Sequence, residues 1–229
     1  MGKTQQFRDA GRVVGGITAA LEQRTLLWLA PRMPGWISPD HLTGLGLVAM
    51  GLAGWSYWLA GSFPWALWLV NLWLAVNWFG DSLDGTLARV RQQQRPRYGF
   101  YVDHVVDAMG AVMLMGGMAL SGYMNPLVAL GVTVAYFLLN IEIYLATYCL
   151  GTFRLSYLKL GPTELRLLLA LGNAAVVLFH PGQAATFFGW NARLFDLGGL
   201  IAIVGLVSIF LVSAVRNTRA LYAAEPILR

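Results

Sequence analysis

The chain has 229 residues, 57% hydrophobic and 12% charged, with a mean hydropathy of +0.59. Soluble domains carry about 25% charged residues, so the composition excludes an ordinary soluble domain and points to a membrane protein. The formal net charge is +5, which Lys and Arg on cytoplasmic loops produce without nucleic acid as a partner.

A single cysteine, Cys149, excludes an internal disulfide and, within an apolar run, reads as packing. The N-terminus carries charges but no compact apolar stretch ending at small residues, so no cleavable signal peptide is expected. Residues 1–36 place Val13, Val14, Ile17, Leu21, Leu26, Leu27 and Leu29 near helical spacing, with Arg12, Glu22 and Arg24 between them. That pattern predicts an amphipathic helix lying in the membrane interface; a soluble capping helix is the alternative. Pro31, Pro34 and Pro39 then break it.

Six apolar runs follow, at 42–60, 63–79, 100–120, 126–150, 165–180 and 194–215. Each is near the ~20 residues that cross a bilayer, so the expected fold class is an all-α integral membrane protein with six transmembrane helices. The second helix is expected to run on through Asp81 and Asp84 to about residue 91. With the N-terminus inside, fifteen of the sixteen basic residues fall on the cytoplasmic side and only Arg193 falls outside. The asymmetry fixes the topology. It puts a six-span bundle at 42–217, a cytoplasmic tail at 218–229 and one domain over 1–229.

Four aspartates, Asp81, Asp84, Asp103 and Asp107, stand near the cytoplasmic ends of the second and third helices. Acids beside long apolar runs are costly and default to a functional role. Asp81, Asp84 and Ala88 share one helical face, as do Asp81, Gly85 and Arg89. On the next helix Gly99, Asp103 and Asp107 are each four apart, and an RQQQRPR turn lets the two acidic faces oppose each other. An oxygen-rich cluster of this kind suits Mg²⁺ or Mn²⁺, and two divalent ions balance four carboxylates. Gly85, Ala88 and Gly99 are small enough for a bulky ligand to approach the backbones, and the planar fork of Arg89 suits phosphate oxygens. A structural acid–arginine network is the alternative.

The ordered set Asp81-x2-Asp84-Gly85-x2-Ala88-Arg89-x9-Gly99-x3-Asp103-x3-Asp107 resembles the motif of the CDP-alcohol phosphotransferase family. The similarity extends to the six-helix layout and the preceding amphipathic helix. It implies an enzyme that transfers a substituted phosphate from a CDP-alcohol to an acceptor hydroxyl and releases CMP. It further implies that the four aspartates share two metals, that Asp107 is the general base, and that Gly85, Ala88 and Arg89 line the cytidine diphosphate site. A carboxylate bound to metal is a weakened base, so the metal role of Asp107 is the firmer of the two.

Other features lie around this core. Pro39-Asp40-His41-Leu42-Thr43 resembles a family segment that has Asn where this chain has Asp40; the resemblance suggests a helix start near the nucleotide, and capping by Asp40 reads equally well. Asp103-His104-x2-Asp107 is similar to the choline and ethanolamine branch of the family, where the histidine is a candidate catalytic base. His104 is one residue off the aspartate face, and a structural histidine is the preferred reading. Glu142 lies deep in the fourth run and is expected to face a cavity, near Asn140, Tyr144 and Tyr148. Arg154 and Arg166 either bind a head group of donor or acceptor or meet lipid phosphates. Gly46, Ala49 and Ala53 form a small-residue stripe that serves either a homodimer or packing inside the bundle, with packing preferred.

The partners expected are a CDP-alcohol donor, a lipid or small polar alcohol acceptor, and the lipid bilayer itself. The setting expected is a bacterial inner membrane with the site open to the cytoplasm. A divalent-cation transporter and a non-catalytic membrane scaffold are the rival readings. The first needs acids spread along several helices, and the second does not need the full motif.

Overall fold

The computed structural model describes residues 18–150, 161–179, 185–187 and 190–225. Within them the chain is almost wholly helical. α1 spans Ala19–Leu29 and ends in a 3-10 turn at Ala30–Arg32; α2 spans Pro39–Ala60, α3 Ala66–Val90, α4 Pro96–Leu120, α5 Pro126–Leu150, α6 Pro162–Phe179 and α7 Leu194–Ala224. One antiparallel hairpin, β1 (Ala185–Phe187) with β2 (Trp190–Ala192), pairs Thr186 with Asn191. It departs from the all-α expectation only in the α6–α7 connection. Val13, Val14, Ile17 and Arg154 lie outside the described residues.

Among the described residues five helices, α2, α4, α5, α6 and α7, are long and apolar enough to cross a membrane, so this is an integral membrane protein. α3 matches them in length with 25 residues, about 37 Å at 1.5 Å per residue. It does not match them in apolarity, because Asn71, Asn77, Asp81, Asp84 and Arg89 interrupt it. It packs along α2 and against α6.

The helix starts follow local chemistry. α2 opens on a reciprocal cap: Ser38 Oγ accepts the His41 N–H at 3.2 Å and His41 Nδ1 accepts the Ser38 N–H at 3.2 Å, with Pro39 in the first turn. Ser38, not Asp40, is therefore the cap. α4 and α6 begin at Pro96 and Pro162, a few residues before their apolar runs. α3 ends with Gln92 at φ 55°, the Gln92 N–H on Arg89 O at 3.1 Å and the Gln93 N–H on Ala88 O at 2.9 Å. This left-handed cap turns the chain back. Arg91 then donates to the carbonyls of Ile37 (2.5 Å), Met33 (2.8 Å) and Pro34 (2.9 Å), which fastens the linker before α2 to the end of α3.

The core joins α2, α3 and α4, with Tyr57, Leu67, Val70 and Met118 fully buried. Small residues let these helices touch. A Cβ on Gly80 would stand 2.6 Å from Leu42 O, and one on Gly117 would stand 1.9 Å from Gly54 O. Gly46, Ala49 and Ala53 are buried in the same contacts, so the small-residue stripe packs the bundle and is not an outward face.

Candidate active site

α3 presents Asn77, Asp81 and Asp84, and α4 presents Asp103 and Asp107. The turn between the helices brings Asp81, Asp103 and Asp107 together: each offers an oxygen within 4.8 Å of the others. Asp84 is turned differently. Its Oδ2 accepts from Thr43 Oγ1 at 2.6 Å and its Oδ1 from the Gly85 N–H at 2.5 Å. Three of the four expected aspartates thus converge, and the fourth is held beside them by α2. An all-oxygen donor set of this kind fits a hard divalent cation.

Arg166, on α6, completes the cluster. Its Nη2 donates to Asp81 Oδ2 at 2.5 Å and its Nε to Asn77 Oδ1 at 2.8 Å. Asn77 is itself fixed, donating to Gly46 O at 3.0 Å. A small cleft beside them is lined by Thr43, Asn77, Asp81, Asp107, Gly110 and Arg166. Sequence reasoning missed Asn77. The available signal was its place four residues before Asp81, on the same face of an otherwise apolar run.

The motif glycines behave unlike the packing glycines. A Cβ on Gly85 would meet only Arg89 Nη1, at 3.6 Å, and one on Gly99 would meet nothing within 4 Å. Among the described residues, nothing requires these two to be small. Arg89 donates to Thr86 Oγ1 at 3.0 Å along the same stretch of α3. Across the turn, Arg95 pairs with Asp40 and lies over the Tyr98 ring at 4.1 Å.

The outlying candidates separate from the cluster. The His104 Nδ1–H donates to Phe100 O at 2.6 Å, and its ring packs 4.2 Å from Phe100 and 4.9 Å from Tyr144. That is an aromatic contact between α4 and α5. Glu142, expected to face a cavity, instead faces α7. Its Oε1 accepts from Asn217 Nδ2 at 2.6 Å, and its buried Oε2 has no hydrogen-bond partner among the described residues. Two residues along a helix turn a side chain to the opposite face, so Asn140 and Glu142 have different neighbours. Tyr148 is 91% exposed.

Glu164 accepts from Thr18 N–H (3.0 Å), Thr18 Oγ1 (2.8 Å) and Gly161 N–H (2.8 Å). Glu22 of α1 accepts from Trp78 Nε1 (2.9 Å), Ser82 Oγ (2.8 Å) and Thr163 Oγ1 (3.0 Å). These bonds clamp α1 to α3 and α6, while Leu21, Leu27 and Trp28 stay exposed.

A helical membrane protein with a carboxylate cluster at one cleft is thereby defined. The model of the CDP-alcohol phosphatidyltransferase family matches residues 36–210, which include every helix from α2 to most of α7, and the chain belongs to that family. It is similar to the archaetidylinositol phosphate synthase of Pyrococcus horikoshii, 32% identical over 86 residues. That match covers 38% of this chain and 43% of the relative, so it spans less than half of either.

Proposed function

We propose that the protein transfers a substituted phosphate from a CDP-alcohol to an acceptor hydroxyl, releasing CMP, as a step of phospholipid synthesis. The observation that carries this reading is the convergence of Asp81, Asp103 and Asp107 beside two motif glycines whose Cβ positions are open. Family membership supports the same reading. The donor set comprises Asp81, Asp84, Asp103 and Asp107, and the cofactor is a pair of Mg²⁺ or Mn²⁺ ions. When bound, the ions supply charge neutralisation of the diphosphate and of the departing CMP.

The chain's own residues do the rest. Gly85, Ala88 and Gly99 leave room for the cytidine diphosphate against α3 and α4, and Arg89 binds phosphate oxygens. The acceptor oxygen forms a bond to the phosphorus that carries the donor alcohol. The bond from that phosphorus to the CMP oxygen breaks, and Asp107 takes the hydroxyl proton.

Two substrate pairings fit this chemistry: a CDP-linked lipid with a small polar alcohol or its phosphate, or a CDP-linked head group with a lipid alcohol. The name of the archaeal relative joins a lipid to inositol phosphate and favours the first. On this reading α3 is the sixth crossing and the cleft faces the cytoplasm from a bacterial inner membrane; the one-sided distribution of Lys and Arg supports the orientation. The test is CMP release from a panel of CDP-alcohols, each paired with candidate acceptors, by purified protein with Mg²⁺ or Mn²⁺. Release with at least one pair is expected; none with any pair rejects the reading.

A further inference from the structure

Arg166 holds two different partners with one guanidinium. Its Nε edge binds a neutral amide, Asn77 Oδ1, at 2.8 Å, and its Nη2 binds a charged cluster member, Asp81 Oδ2, at 2.5 Å. Both ends are well shielded: the side chains of Arg166 and Asp81 are 14% and 23% exposed. Asn77 is 6% exposed and is anchored to Gly46 O, so it is a fixed post. The start of α6 is fixed too, through Glu164 and its bonds to Thr18 and Gly161.

We propose that Arg166 is a built-in counter-ion of the aspartate cluster, displaced from Asp81 when a divalent cation loads and retained at the cleft by Asn77. This rests on the metal reading above and goes beyond it. Three carboxylates with oxygens within 4.8 Å repel one another, and a guanidinium on one of them relieves that repulsion. A cation entering the cluster competes with Arg166 for the Asp81 carboxylate and repels its positive charge, since like charges a few Å apart interact strongly where water is scarce. Asn77 is neutral, so a cation in the cluster does not compete for it as it does for Asp81. Arg166 therefore keeps the empty cluster compatible with folding and lowers its affinity for the ion.

The experiment uses the full chain, purified in detergent, with free Mn²⁺ followed by electron paramagnetic resonance. Arg166→Gln is expected to bind Mn²⁺ about tenfold more tightly than the natural protein, within the range of two-site coupling. Unchanged or weaker binding in Arg166→Gln, with Mn²⁺ bound by the natural protein, overturns the proposal and leaves the metal reading standing. No Mn²⁺ binding by the natural protein overturns both. A second measurement needs no variant. Phenylglyoxal labelling of Arg166 in the natural protein, read by peptide mass spectrometry, is expected to rise on Mn²⁺ loading. Unchanged or reduced labelling overturns the proposal.

Discussion

The crossing of α2 with α4 and the facing ends of α3 and α4 both carry glycines, in opposite surroundings. At the crossing, a Cβ on Gly117 would fall 1.9 Å from Gly54 O, and one on Gly54 would fall 2.1 Å from Met113 O. There the glycines are required by the protein's own backbone. At the acid face, Gly85 has only the end of Arg89 nearby and Gly99 has nothing within 4 Å. Gly35, Gly44 and Gly116 are equally open, so open space alone marks no ligand; what sets Gly85 and Gly99 apart is their place beside the aspartates. The contrast separates glycines that the backbone packing requires from glycines that it does not, and the variants below test whether the second kind serves a ligand.

The largest effect should come from the acids. Asp103→Asn is expected to lower CMP release by about 10²–10³-fold or more, the scale of losing one preorganised charge-stabilising group; near-natural turnover would remove the cluster from the chemistry. Gly85→Ala should lower release by about tenfold or more, since small misplacements of substrate are costly. The same change should leave thermal unfolding unchanged or slightly later, because Ala favours a helix interior by about 0.5–1 kcal/mol over Gly. Gly117→Ala should do the reverse, losing about 1–3 kcal/mol of stability from overpacking, read as an earlier melt. If the two glycine variants behaved alike, the distinction between the regions would fail.

His104→Ala should cost less than about tenfold in release, below the usual range for loss of a general base. A fall of several orders of magnitude would make His104 that base. Glu142→Gln should have the smallest effect on turnover, about threefold or less, under about 1 kcal/mol of barrier. A Gln oxygen still accepts from Asn217, and Glu142 stands between α5 and α7, apart from the cluster.

Much of this arrangement was legible in the chain. Apolar runs gave the helices, and Pro96, Pro126 and Pro162 sharpen where three of them begin. Four-residue spacing put Asp103 and Asp107 on one face, and the turn after Arg91 brought Asp81 opposite them. What stayed hidden depended on partners far along the sequence. Thr43 turns Asp84 aside from 41 residues away, and Arg166 reaches Asp81 across 85. Glu142 finds Asn217 across 75 residues, although both lie in helices whose apolar patterns gave no facing. Local periodicity assigns a face to a helix but not the neighbour that face meets. α3 is a different case: its apolar run at 63–79 reads as a span in the sequence, but over the whole helix Asn71, Asn77, Asp81, Asp84 and Arg89 lower its apolarity below that of the other five.

The central claim is that the carboxylates of α3 and α4 hold divalent ions for phosphate transfer from a CDP-alcohol. It is tested most directly by CMP release from purified protein, stripped with EDTA and then resupplied with Mg²⁺ or Mn²⁺. The account predicts release that vanishes with EDTA, returns with either ion, and does not return in Asp81→Asn. Release undiminished in EDTA, or restored to the natural level in Asp81→Asn, would contradict it.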